Sequence, residues 1–164
     1  MSGGFLAKLR GTSREGVLRA ISGTKEPLYE VAAVVEAPVE KVTEHLFAKN
    51  PFVPESAFQP GDPAITRLPD GEEYIKVGHG SLHQNRARRM VAYQGGWWYR
   101  GEFSVEPHPK GSLYVYRVYN VAKKWRYMVP LVQFGMAAQV EQGAAAGIAG
   151  IGDELGCPAY RVER

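Results

Sequence analysis

At 164 residues the chain has the length of one domain and can bury a substantial core. A 45% apolar fraction that includes 9 Tyr, 6 Phe and 3 Trp excludes intrinsic disorder, and a net charge of +3, from 20 Lys and Arg against 17 Asp and Glu, is too small a surplus to mark a nucleic-acid binder. The single cysteine, Cys157, permits neither an internal disulfide nor a thiolate zinc site, which fits a reducing compartment and predicts a cytoplasmic protein.

Residues 1–26 mix Gly, Ser and Thr with Lys8, Arg10, Arg14, Arg19 and Lys25. They lack the continuous apolar stretch of a secretory signal and are expected to form a loosely ordered N-terminal arm. Residues 28–36, LYEVAAVVE, are β-branched and alternate, so a first strand is predicted with Tyr29, Val31, Ala33 and Val35 on one face. Ala37-Pro38 ends that strand, and a helix is expected from Pro38 to about residue 48, with Val39, Val42, Leu46 and Phe47 on its inward stripe. The following NPFVPESAFQPGDP holds four prolines and reads as a loop with one helical turn near residues 54–58.

An antiparallel meander should follow. Residues 64–68 and 72–79 flank a Pro-Asp-Gly turn, and residues 88–94 and 97–106 flank Gly95-Gly96, the pattern of a two-residue hairpin. That hairpin would set Gln94 against Trp97 and place Met90, Ala92, Trp97, Tyr99, Phe103 and Val105 on the core face, leaving Arg89, Tyr93, Trp98, Arg100, Glu102 and Ser104 outside. In the last meander strand, 113–121, the Tyr114, Tyr116 and Val118 face competes with Leu113, Val115, Arg117 and Tyr119 for the interior; the cost of burying Arg117 without a partner favours the Tyr114 face, whereas a cavity that binds a carboxylate would reverse the choice.

A final helix is predicted from Pro130 to about residue 155, with Leu131, Phe134, Ala138, Ala145 and Ile148 on one stripe. Its five glycines weaken it by roughly 1 kcal/mol each relative to Ala, with a break expected near Gly150, so tertiary packing has to hold it. The polar Gln133, Gln139, Glu141 and Gln142 exclude a transmembrane reading of this segment. One domain over residues 27–156 and a tail over 157–164 complete the expected organisation.

The order strand, helix, loop, meander, long helix, with the opening string YEVAAVVEAPVEKVTEHLF, resembles the START-like helix-grip superfamily, which includes pollen-allergen and polyketide cyclase/dehydrase-like proteins. The resemblance rests on a strand ending in Ala37-Pro38 and on Val42 and Leu46-Phe47 in the helix. It implies an α+β fold in which a curved antiparallel sheet of six to seven strands grips the C-terminal helix around a cavity. Five strands are counted after the first helix where the family shows six, the sixth being expected in the loop before residue 64. The family has no shared catalytic set, so side chains on the cavity wall decide the chemistry.

The wall expected to hold a small hydrophobic ligand comprises Met90, Trp97, Tyr99, Phe103, Tyr114, Tyr116 and Phe134, with His79 and tyrosine hydroxyls as orienting polar groups. An alternative is a cyclase/dehydrase-type enzyme in which His79 is the general acid or base and a cavity tyrosine polarises a carbonyl oxygen. A third reading is an interaction module that docks through its basic outer face and N-terminal arm. No cofactor and no nucleic-acid partner is expected, and a monomer and a homodimer remain equally open. His79 and His83 share i, i+4 spacing, but off a helix that spacing predicts no metal site, and GHGSLH lacks the third glycine and following helix of a phosphate loop.

Overall fold

The computed structural model describes residues 26–50, 52–125, 128–129 and 136–164. The alternating run after residue 28 forms β1 (Tyr29–Val35), and α1 (Val39–Lys49) follows, with Pro38 at its N-cap position and Val42, Leu46 and Phe47 buried. A single 3-10 turn, Glu55–Ala57, lies in the proline-rich loop. The meander comprises β2 (Thr66–Arg67), β3 (Glu73–Val77), β4 (Gly80–Asn85), β5 (Met90–Gly95), β6 (Tyr99–His108) and β7 (Gly111–Asn120). Helix α2 (Met136–Leu155) and β8 (Ala159–Val162) end the chain. All strands join one antiparallel sheet in the order β2-β3-β4-β5-β6-β7-β1-β8, an α+β architecture with α2 over the β1 and β8 side. No helix among the described residues is long and apolar enough to cross a membrane.

Among the described residues the sheet has eight strands instead of six to seven. The strand absent from the expected meander is β4, which begins in the GHGSLH stretch and runs on to Asn85, and the loop before residue 64 contributes none. Gly78, at φ +58, and His79 make the tight turn that sets Val77 against Gly80. Ser, His, Gln and Asn form strands poorly alone; here β3 and β5 pair with both edges of β4 and override that preference.

The eighth strand lies in the segment expected to be a tail. Gly156, at φ +63, ends α2 with the Cys157 N–H donating to the Gly152 carbonyl at 3.1 Å, and Pro158 prevents continuation. The chain then runs antiparallel to β1, setting Val35 against Ala159 and Ala32 against Val162. Helix α2 is continuous through Gly150.

The β5–β6 hairpin departs from the expected register. Gln94 pairs with Arg100 and Gly95 with Tyr99, so the loop is Gly96-Trp97-Trp98, with Gly96 at φ +61. The offset of three residues is odd, and an odd slip exchanges the faces of one strand against the other. Val91 and Tyr93 therefore share the inner face with Phe103 and Gly101, while Met90 and Ala92 pair with Ser104 and Glu102 outside. Run together as Met-Val-Ala-Tyr, β5 is apolar on both faces, so its pattern carries no information about which side is core.

The outer face pairs its charges. Arg117 donates to Glu30 at 2.8 Å and to Glu106 and Ser104 at 3.2 Å, so the inward Tyr114 face of β7 leaves no arginine stranded. Arg100 donates to Glu72 at 2.8 Å and to Glu102 at 3.2 Å. Beside these pairs Ala32, Val34, Leu113 and Val115 are buried together with Val162 against them.

Two outcomes are expected. Gly111 sits at φ +131, and a Cβ there would lie 2.6 Å from the Ala37 carbonyl oxygen, so Gly111→Ala should cost on the order of 2–3 kcal/mol in urea unfolding. Gly61→Ala, at φ +82 in open space, should cost only about 1 kcal/mol. The second concerns acid. A hydrogen bond from His83, helped by the Arg100 charge and opposed by burial, lowers the Glu72 carboxyl from 4.5 to about 2. The unfolded chain therefore takes up that proton first, and stability should fall as pH drops from 4.5 through 2, with a shallower fall in Glu72→Gln.

Candidate functional site: a cavity between sheet and helix

A cavity of about 710 Å³ separates the inner face of the sheet from α2. Its sheet wall is Val31 and Ala33 of β1, Tyr99 and Phe103 of β6, and Tyr114 and Tyr116 of β7. The helix wall consists of Val140, Ala144, Ile148 and Ile151 interleaved with Gly143, Gly147 and Gly150. A methyl group built on any of these three glycines would meet no atom within 4 Å, so the space continues up to the helix backbone. Gly143 and Gly147 are themselves exposed, and the cavity opens to solvent beside them.

The helix is held near its C-terminal half and along its β8 edge. Arg161 of β8 makes a two-pronged ion pair with Glu141, with Nη2 to Oε1 at 2.9 Å. Gly152 lies so close to the start of β8 that a Cβ would come within 3.2 Å of Ala159 Cβ and 3.0 Å of the Cys157 carbonyl oxygen. His45 Nδ1 and Lys49 Nζ of α1 lie 3.3 and 3.4 Å from Glu154 Oε2, and these three side chains, with Gln139, give a mostly apolar cavity its charged and amide lining.

The rings pack as a layer. Phe103 stacks on Tyr116 at 4.6 Å and 23°, and Phe52 covers Phe103 at 5.1 Å. Phe52 arrives from the loop after α1, where the Asn50 side chain accepts from the Phe52 N–H at 2.9 Å and from the Val53 N–H, and donates to the Val53 carbonyl at 2.8 Å. This local turn points the ring inward. Glycines under the layer leave room: a Cβ on Gly101 would collide with the Tyr99 ring, and one on Gly80 would lie 2.8 Å from the Tyr93 hydroxyl.

Two polar features face the cavity. Tyr99 and Tyr116 share a hydroxyl–hydroxyl hydrogen bond of 2.7 Å. The Tyr114 hydroxyl has no hydrogen-bond partner among the described residues. Burial pushes the Tyr114 and Tyr116 hydroxyls well above the ordinary tyrosine range, so both remain neutral donors at physiological pH.

Four of the expected wall residues, Tyr99, Phe103, Tyr114 and Tyr116, line this cavity. Three others do not. Met90 is buried on the outer face, Trp97 is 44% exposed at the hairpin tip, and His79 is exposed on the β3–β4 turn. Phe134 and Leu131 lie outside the described residues, and Ala138 and Ala145 are exposed, so the inward stripe of α2 runs through Val140, Ala144 and Ile151 instead, sharing only Ile148 with the expected stripe. The expectation omitted Phe52, His45, Lys49 and the helix glycines. Only Phe52 carried a usable signal, the Asn-Pro-Phe-Val-Pro turn. Among the described residues no cluster of three or more His, Cys, Asp or Glu side chains is arranged to hold a metal ion.

Comparison with protein-family models, curated proteins and solved structures finds no match for this chain.

Because Tyr114 keeps its proton in the folded state above the pH at which an unfolded tyrosine loses it, near 10.0, its burial stabilises the fold below that pH and the benefit is lost above it. Tyr114→Phe should move the alkaline unfolding midpoint upward. At pH 7 it should change stability by no more than about 1 kcal/mol, since no hydrogen bond is removed. Circular dichroism followed from pH 7 to 12 measures both.

Proposed function

We propose that this chain binds a small hydrophobic ligand in the cavity between its sheet and α2, as START-like helix-grip proteins do. One observation carries the reading: an aromatic wall faces a glycine-lined helix across about 710 Å³ of unfilled space. Protein interiors pack to crystal-like density, and an apolar gap of this size forgoes contacts that larger helix residues would restore. Its volume falls in the range of small-molecule pockets, roughly 300–1,000 Å³, which combine apolar walls with a few directed polar groups. Tyr114 supplies such a group, a hydroxyl that meets no described partner until a ligand accepts from it.

The wall favours a flat or chain-like molecule lying along the rings, with one hydrogen-bond acceptor near Tyr114 and its polar end towards His45 and Lys49. The cyclase/dehydrase reading draws no support from His79, which is exposed on a turn and is not part of the cavity. In the single-cysteine, reducing setting expected of this sequence, the protein would work as a cytoplasmic ligand carrier.

The test uses an environment-sensitive apolar dye, with native mass spectrometry of the purified chain. The unmodified protein should take up one dye molecule with a Kd in the micromolar range, on the order of −8 kcal/mol. Gly147→Leu, which places a side chain in the open space beside the helix, should weaken uptake at least tenfold while thermal stability holds or rises. Equal uptake by the two proteins, or none by the unmodified one, would sink the proposal.

A further inference from the structure

The sheet face opposite the cavity holds a relay of side chains that ligand binding does not use. Ser81 and His83 are two residues apart on β4, so both project from the outer face, and Ser81 Oγ lies 2.7 Å from His83 Nε2. Across the ring, His83 Nδ1 is 3.3 Å from Glu72 Oε2, and the other oxygen of Glu72 accepts from Arg100 at 2.8 Å. The Tyr74 ring stacks on the imidazole at 5.3 Å and 28°, fixing its plane.

The chemistry of the partners determines where the protons sit. Glu72, paired with Arg100, is a carboxylate and can only accept, so the tautomer it selects for the His83 imidazole carries its proton on Nδ1. Its Nε2 then presents a lone pair, and the Ser81 hydroxyl donates to it. A hydroxyl held against a base that a buried carboxylate orients is the arrangement of an activated nucleophile. Burial is graded in the same sense: His83 and Glu72 are buried, while Ser81 is only partly covered.

Donors flank the nucleophile. Lys76 on β3 and Gln94 on β5 are the direct cross-strand partners of Ser81, and such partners place their Cβ atoms about 4.5–5.5 Å away on the same face. Gln94 gives its carbonyl oxygen to Arg100 at 3.3 Å, which leaves its amide NH₂ as a donor. Lys76 is exposed and brings a positive charge to the other side.

We propose that Ser81, His83 and Glu72 form a second, hydrolytic site that cleaves small acyl esters at the surface of the sheet. Ser81 Oγ attacks the ester carbonyl carbon while its proton passes to His83 Nε2, and the resulting oxyanion lies between Lys76 and Gln94. Collapse breaks the bond to the leaving alcohol, which takes the proton from His83. A water molecule then attacks the acyl carbon on Ser81 and gives a proton to His83. The second collapse releases the carboxylic acid and returns that proton to Ser81 Oγ, so the sum is ester plus water to acid plus alcohol. Glu72 touches no reacting atom and acts as a positioning residue.

The full-length chain is treated with a fluorophosphonate probe and, separately, with p-nitrophenyl acetate. The probe should label Ser81, identified by peptide mass, and the ester should turn over with release of p-nitrophenol. Ser81→Ala, which removes a single oxygen, should abolish both, and His83→Gln should lower kcat by about a hundredfold or more. Glu72→Gln should lower kcat with KM nearly unchanged and shift the pH–rate profile, effects that a purely structural carboxylate would not produce. His79→Ala, outside the relay, should retain full activity. Failure of the probe to reach Ser81, or ester turnover that persists in Ser81→Ala, overturns the assignment, and neither result bears on ligand uptake by the cavity.

Discussion

The structure depends on how α2 is fastened. Ion pairs to Glu141 and Glu154, the close seat of Gly152 on β8 and the left-handed cap at Gly156 fix the helix at its edge and its end. Along the face turned to the sheet, glycines stand where leucines would close the gap. A helix so rich in glycine gains little from its own propensity, so these attachments have to hold it. The same residues thus remove the side chains that would fill the interior and make the helix rely on its clamps.

The two faces of the sheet divide the chemistry. Inside, strand alternation brings together rings, short aliphatic side chains and neutral hydroxyls, an environment that stabilises apolar molecules and keeps tyrosines protonated. Outside, the same alternation collects Glu30, Glu72, Glu102 and Glu106 with Arg100 and Arg117, and nearly every charge has an opposite partner within 3.2 Å or so. Buried or half-buried charges persist only when paired, and the register of β1, β6 and β7 supplies the pairs.

Much of this fold is legible in the sequence, and what is not legible has particular causes. Strands β1 and β7 are legible from their β-branched and aromatic runs, but each is apolar on both faces, and the cost of burying Arg117 favours the inward Tyr114 face of β7 that is observed. In β5 the apolar residues fall on both faces, so the register rested on the Gly95-Gly96 pair. Gly95 proves to be a strand residue that makes room for the Tyr93 ring, and Gly96 begins a three-residue loop. That single displacement moved Met90 out of the cavity and Val91 and Tyr93 onto its side of the sheet. Strand β4, polar apart from Leu82, and β8, which begins three residues beyond the Gly156 cap, are strands only because their neighbours make them so. The tyrosines at 99, 114 and 116 were found because alternation carries them, whereas Phe52 comes from a loop and His45 from a helix whose apolar stripe points elsewhere.

Strand β1 lies between β7 and β8, so the first strand of the described chain is paired on both sides by segments that come late in the sequence. Contacts so distant along the chain are slow to form, because a long loop must close before any pairing repays it. Until β7 and β8 emerge, β1 is an unpartnered ribbon of Val and Ala, the kind of edge that invites association with other chains. The cavity is accordingly a late product of folding, assembled when β7 and β8 pair with β1.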